Sequence, residues 1–323
     1  ITTVGTVREC IFDDMYTYAT AVADGAIADP HFLPVLYELD DRSEWTDPAA
    51  WRKANPALGT IKKLDDLTAK VERAQQNRNE LSGVLCKEFN VRETAKMAWL
   101  SFDDINNEQT FDLETFRGAY CIGGVDLSST TDLTAARVIF QVPGCEKIFS
   151  ISMYWLAEDL LTKRVNEDKI PYDKWLDRGL VQLSPGNHVH AKYVKEWFVY
   201  VQEELDIYIP YVGYDSWSAT YFVEDMADYF GKMSMIPVVQ GKKTLSEPMK
   251  RLGNDLGSKR IIYNNNPIDK WCLANTAYDE DVNGNIQPHK TSKPTRRIDG
   301  TAALLDAYTV FLDKQDEYRD LIA

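Results

Sequence analysis

Three aspartates have the type and setting to do chemistry. Asp126 ends the apolar run Tyr120–Leu127, Asp215 ends Ile209–Asp215, and Asp299 opens the last apolar-faced helix, just after Arg296 and Arg297. They lie 89 and 84 residues apart, so only a fold can bring them together. The carboxyl ends of strands at one edge of an α/β sheet are where ligand sites form. Carboxylates that converge without a base among them repel one another, and a divalent cation relieves the repulsion. An all-oxygen ligand set favours Mg²⁺ or Mn²⁺. Two such ions about 4 Å apart activate water and stabilise the leaving oxygen in phosphodiester cleavage. Asp132 lies beyond Asp126, across Ser128-Ser129-Thr130-Thr131. It either points back to the same site or caps a turn, and position alone leaves both open.

The elements that must hold these residues differ along the chain. Residues 1–112 read as helices joined by acidic loops. Val7–Asp24 is apolar at helical spacing, Asp47-Pro48 starts a short helix, and Leu64–Phe89 reads as one long charged helix. From residue 113 to 323 the texture changes. Tyr120–Leu127, Leu133–Val142 and Lys147–Trp155 read as strands of an antiparallel meander, with the turn dipeptide Pro143-Gly144 between the last two. Strands at Leu180–Leu183, Ile209–Asp215 and Met235–Gln240 follow. They alternate with helices at His190–Leu205, Ser216–Phe230 and Ser246–Leu256. Thr276–Lys290 reads as a hairpin around Asn283-Gly284, and Asp299–Asp313 as a closing helix. This order predicts an α/β domain with a mixed sheet flanked by helices, behind a mainly helical N-terminal region.

The composition, 44 % hydrophobic and 27 % charged, excludes a wholly disordered chain. No apolar run approaches the roughly 18 residues that span a bilayer, and no secretion signal is visible. Five cysteines, none spaced as CxxC, argue against a zinc module and a disulfide scaffold. A net charge of −14 disfavours non-specific nucleic-acid binding by the chain as a whole. Residues 241–300 nevertheless hold 11 basic residues against 7 acids, a local excess able to meet a polyanion. Gly241-Lys242-Lys243-Thr244 resembles a phosphate loop but lacks the glycine five residues earlier, and no other segment fits that pattern. His188 and His190 read as loop residues. His289 lies on the second arm of the hairpin.

Several blocks, in order, resemble phage large terminase subunits. GVDLSSTTDLTA (124–135), GYDSWSA (213–219) and RRIDGTAALLDA (296–307) resemble the nuclease domain. ITTVG (1–5), YELDD (37–41), DPAAWRKANPALG (47–59) and KEFNVRETAKMAWLS (87–101) are similar to the end of the ATPase domain and its linker. The resemblance implies an RNase H-like nuclease that cuts concatemeric double-stranded viral DNA with Mg²⁺ or Mn²⁺. Asp126, Asp215 and Asp299 stand at its metal-binding acid positions, and Asp132 matches an additional acid of some members. It further implies residues 1–112 as the remnant of the motor domain and linker. It implies a terminase small subunit and a portal protein as partners, and the cytoplasm of a bacterial host as the setting. The ATPase motifs are missing from the sequence, so a fragment or a split gene is expected. Lys242, Lys243, Lys290, Lys293, Arg296 and Arg297 flank the acids and are the expected phosphate contacts. The hairpin is expected to gate access to the metals.

Three alternatives remain at this point. An actin-like ATPase or sugar kinase also places an Asp before a Gly/Ser/Thr turn, but its second phosphate motif and its adenosine motif are not clear here. A transposase or junction resolvase shares the metal chemistry without the ITTVG and ANPALG blocks. A non-catalytic docking module of a packaging complex would keep the acids as vestiges.

Overall fold

The computed structural model describes residues 3–4, 11–91, 98–127, 133–168, 170–216, 220–290 and 296–322. The chain divides into two compact units, Ile1–Phe102 and Asp103–Ala323. The first contains α1 (Ile11–Ala23), α2 (Trp51–Ala54), α3 (Leu64–Gln76) and α4 (Arg78–Phe89). Its core joins Leu67, Val71 and Ala74 of α3 to Val84, Leu85 and Phe89 of α4, with Trp51 alongside. The single helix expected over Leu64–Phe89 is thus two. Asn77 breaks it in an extended conformation (φ −123°, ψ 97°), and its carbonyl accepts from Glu80 N at 2.9 Å. Asparagine tolerates such a boundary because its side chain competes for backbone hydrogen bonds that a helix interior would use.

The second unit follows as α5 (Phe102–Ile105), β1 (Tyr120–Asp126), β2 (Thr134–Phe140), β3 (Ile148–Ala157), α6 (Leu161–Asp168), α7 (Tyr172–Asp177), β4 (Val181–Ser184) and α8 (Ala191–Glu203). Then come β5 (Tyr208–Asp215), α9 (Thr220–Phe230), β6 (Met235–Val238), α10 (Lys242–Gly257), β7 (Ile261–Ile262), α11 (Pro267–Asn275), β8 (Thr276–Glu280), β9 (Ile286–Lys290), α12 (Asp299–Asp313) and α13 (Gln315–Ile322). The main sheet runs β4-β3-β2-β1-β5-β6, with β7 beside β3. β1, β2 and β3 form the expected antiparallel meander, whereas β5 runs parallel to β1 and β6 parallel to β5. The sheet is therefore mixed, and the carboxyl ends of β1, β5 and β6 share one edge.

Helices cover both faces. Val194, Trp197, Phe198 and Val201 of α8 join Phe222 and Met226 of α9 in one core with Val138 and Val212 of the sheet. On the opposite face lies α12, buried on nearly every side (Ala303, Leu304, Leu305, Ala307, Tyr308, Val310, Phe311) and packed also against α10 and α11. A helix buried all round is apolar all round, so any charged residue inside it needs a reason.

Glycines set the approach of α12. A methyl group added to Gly124 would lie 2.5 Å from Ala307 N and closer still to Ala303 O, and one on Gly213 would lie 2.6 Å from Asp306 O. Neighbouring Gly123 faces the other way, toward Phe198 and Val212. This alternation is the two-residue period of a strand. The hairpin β8–β9 is closed by Asp281–Asn285. Asp281 N donates to Asn285 O and Gly284 N to Asp281 O, with Gly284 at φ +76°. It is thus a type I turn with a left-handed glycine after it, rather than the two-residue turn that Asn-Gly suggests. Lys250 Nζ donates to Gly284 O at 2.7 Å, and Ile286 N to Ser246 Oγ at 3.1 Å, which docks the hairpin on α10.

Candidate active site

The edge where β1 and β5 end carries the first two acids. The parallel register pairs Gly124 with Gly213 and Val125 with Tyr214. Asp126 and Asp215 are the next step on each strand, on adjacent strands roughly 5 Å apart. Each lies two residues beyond a glycine that faces α12, so both side chains take the α12 face. Both are half-buried.

The helix supplies what the sequence reading overlooked. Asp306, in the middle of α12, is 2 % exposed. Burial first, then the negative charge of Asp126, with a smaller push from Asp215, holds its carboxyl well above the usual carboxylate range; a hydrogen bond from Gln240 opposes this. That bond runs from Gln240 Nε2 to Asp306 Oδ1 at 3.0 Å, from the segment just after β6. Two strand ends, the segment after β6 and one helix thus bring three carboxylates and an amide to one edge of the sheet.

Asp299 is the first residue of α12 and is 3 % exposed. It precedes Asp306 by seven residues, two helical turns, so the two share one stripe of the helix about 10 Å apart along the axis. Its charge acts on the buried thiol of Cys272 in α11, which burial already pushes up. The next residue, Gly300, lies against Tyr154, whose ring carbons would be 2.9 Å from an added methyl group. Tyr154 belongs to a buried network. Arg137 of β2 pairs with Asp269 of α11, Tyr154 donates to Asp269, and Ser152 Oγ donates to Asp269 at 3.0 Å. Burial pushes the Asp269 carboxyl up, and the Arg137 guanidinium is the main influence against that push. The start of α12 is therefore seated on a charged but internally matched floor.

The expected phosphate contacts differ in exposure. Lys243 and Lys290 are exposed, Lys242 and Arg296 are half-buried, and Arg297 is 5 % exposed. Lys242 and Lys243 open α10, four residues before the helix start read from the sequence. His289 faces Asp279 across the hairpin at 3.5 Å. Asp132 and Lys293 lie outside the described residues. Among the described residues, no three acids, histidines or cysteines stand close enough together to enclose an ion as they are. The carboxylate donors at the edge are all oxygens, which suits a hard divalent cation. Asp306 was legible in principle. An acid seven residues after Asp299 in an otherwise apolar helix falls on the stripe that Asp299 occupies.

Among the described residues, no helix is long and apolar enough to cross a membrane. The family described as the terminase large subunit, endonuclease domain, matches residues 26–315. Protein YmfN of Escherichia coli (strain K12) is 25 % identical over 340 residues, covering 100 % of this chain and 72 % of that protein. The terminase large subunit of Enterobacteria phage HK97 is 27 % identical over 278 residues, covering 85 % of this chain and 54 % of that protein. The chain thus spans about half the length of this phage relative. The crystal structure of the HK97 bacteriophage large terminase superposes with a TM-score of 0.58 at 22 % identity, covering 92 % of this chain and 60 % of that one. The mixed sheet flanked by helices is the RNase H-like architecture expected, and the family match sets the actin-like alternative aside. With 290 consecutive residues inside the family match, the chain belongs to the terminase large subunit endonuclease domain family.

Proposed function

We propose that this chain is a metal-dependent endonuclease that cleaves concatemeric double-stranded DNA during viral packaging. The observation that carries the proposal is that Asp126 and Asp215 end adjacent parallel strands in register, on the face that α12 covers. In this reading Asp126, Asp215 and Asp299 hold the cations, Mg²⁺ or Mn²⁺, with Asp132 as an additional ligand. When bound, a pair of such ions supplies a more acidic water and a counter-charge for the leaving oxygen.

The protein's own residues do the rest. Asp126 and Asp215 hold their carboxylates at fixed strand ends, so little reorganisation is needed when substrate arrives. Lys243 and Lys290 meet phosphates from the exposed side, and Lys242, Lys293 and Arg296 extend that contact. Arg297 adds positive charge from beneath. The hairpin β8–β9, held on α10, limits how a duplex reaches the acids. The same reading takes residues 1–112 as the end of a motor domain with its linker. It makes the small subunit and the portal protein partners in a bacterial cytoplasm.

The test is cleavage of supercoiled plasmid with Mn²⁺, Mg²⁺ or chelator, beside Asp126→Asn and Asp215→Asn. Nicking should require the cation and disappear in both variants while their melting behaviour stays cooperative. Metal-independent nicking, or full nicking by Asp215→Asn, would refute the proposal.

A further inference from the structure

Glycines bring α12 close to the sheet, but they do not fix where it stops along its own axis. Gly124 and Gly213 meet Ala303, Ala307 and the backbone of Asp306 through small apolar and backbone contacts, and burial of that kind has no direction. The start of the helix has no local stop either. Ile298 stands at the N-cap and its side chain makes no hydrogen bond to the first turn, where serine, threonine, aspartate or asparagine ordinarily supplies one.

The first turn is held from outside instead, at the junction of α11 and β8. Asn275 Nδ2 donates to Arg297 O at 3.2 Å, two residues before Asp299. Thr276 Oγ1 lies 2.9 Å from Thr301 Oγ1, two residues after Asp299, and 2.8 Å from Cys272 O. A carbonyl only accepts and a hydroxyl has one proton, so Thr276 donates to Cys272 O and Thr301 donates to Thr276. Asn275, Thr276 and Thr301 are all buried. Between these two brackets Gly300 rests on the Tyr154 ring. The far end of the jig is pinned as well. Asp269 pairs with Arg137 and accepts from Ser152, and Asn266 Nδ2 donates to Ser152 Oγ at 3.2 Å. An apolar helix would avoid the desolvation that these buried polar groups incur. What they add is direction, because a hydrogen bond weakens steeply as its angle closes.

We propose that Asn275 and Thr276 are positioning residues: they fix the axial place of α12 and thereby hold the Asp299 carboxylate where the cation is bound. The inference rests on the reading of Asp299 as a cation-holding acid and assigns that acid two supports from outside its own helix. The glycine seam sets how near α12 comes to the strands, and the α11–β8 junction sets how far along them it sits.

Plasmid nicking by the whole chain over a range of Mn²⁺ concentrations, beside melting curves, tests this. Thr276→Val keeps the shape and removes the link. It should lower kcat about tenfold and raise the Mn²⁺ needed for half-maximal nicking, with KM for plasmid unchanged. Thr276→Ser should restore both. Thr276→Val combined with Thr301→Val strands neither hydroxyl, so its melting temperature should return toward that of the unaltered protein while nicking stays low. Asn275→Ala should shift kcat and the Mn²⁺ requirement in the same direction, and it decides the matter if Thr276→Val fails to fold. Asp299→Asn is the control and should lose nicking. If Asp299→Asn loses nicking while Thr276→Val and Asn275→Ala stay within about twofold of the unaltered protein in kcat and Mn²⁺ requirement, the positioning role is overturned and the role of Asp299 stands. Recovery of nicking together with stability in the double valine variant would overturn it too, since packing alone would then suffice. If Asp299→Asn nicks normally, the reading of Asp299 falls and this inference with it.

Discussion

Adding one methyl group at Gly124 should do more damage than adding one at Gly123, its neighbour on the same strand. At Gly124 the new carbon would meet Ala307 N at 2.5 Å, Ala307 Cβ at 2.7 Å and Ala303 O closer still. None of these can rotate away, because they are backbone or Cβ atoms of a helix wedged against α10 and α11. Ordinary contact begins near 3.4 Å, so α12 must lift by roughly 1 Å. Overpacking costs about 1–3 kcal/mol, and a clash with backbone belongs at or above the top of that range. At Gly123 the nearest atoms are Phe198 Cε1 at 2.9 Å and Val212 Cγ2 at 3.0 Å, both on side chains that can turn, so about 1 kcal/mol is expected. For a unit of this size each kcal/mol moves the melting temperature by roughly 2–4 °C. Gly124→Ala should therefore melt roughly 6–12 °C lower, and Gly123→Ala roughly 2–4 °C lower. Because Asp299 rides on the displaced helix, a shift of about 1 Å should also cost on the order of 100-fold in nicking rate for Gly124→Ala. Scanning calorimetry with plasmid nicking on the same samples reads both effects. Equal losses of stability in the two variants, or a Gly124→Ala protein that nicks normally, would refute the close approach of α12 as the device that sets the acids.

Arg137→Met should destabilise the second unit by about 3–5 kcal/mol by stranding the Asp269 charge, and Arg137→Met with Asp269→Leu should recover most of it in urea denaturation. Burial pushes the Glu88 carboxyl up, but hydrogen bonds from Lys62 and Lys70 outweigh it and the net shift is downward. A carboxyl lowered on folding stabilises above its unfolded pKa. The first unit should therefore lose stability as pH falls below about 4.5. Glu88→Gln should flatten that dependence in acid titrations followed by circular dichroism; an unchanged slope would remove the pair from the account. DNA affinity should collapse between about 50 and 200 mM salt, and Lys243→Ala and Lys290→Ala should each reduce the logarithmic salt slope by about 1 in fluorescence anisotropy. Removing residues 280–287 should change the rate of plasmid cutting without abolishing Mn²⁺ binding, and unchanged cutting would count against the hairpin as a gate.

The sequence exposed the strands well because their chemistry is local. β1 and β5 are short, apolar and end in an acid, and the meander is punctuated by Pro143-Gly144. What it hid was set by distant partners. α11 is buried at all nine positions, Asp269 and Lys270 included, so it shows no amphipathic period to read. β7 has two residues and exists only because β3 offers a parallel partner. The break at Asn77 is a local conformational choice that the apolar spacing on either side masks. Asp306 was hidden by its company. Amid leucines and alanines it reads as a surface acid, and only packing reveals that nothing around it is surface.

The seam between β1, β5 and α12 also restricts how this protein can change. Gly124 packs on Ala303 and Ala307, and Gly213 on the Asp306 backbone and Val310, so no spare volume separates strand from helix. A substitution that enlarges either glycine meets helix backbone first, which no loss of a side chain elsewhere can clear. Diversification of such a protein must therefore proceed at its loops, its hairpin and its basic rim, while the two glycines stay as they are.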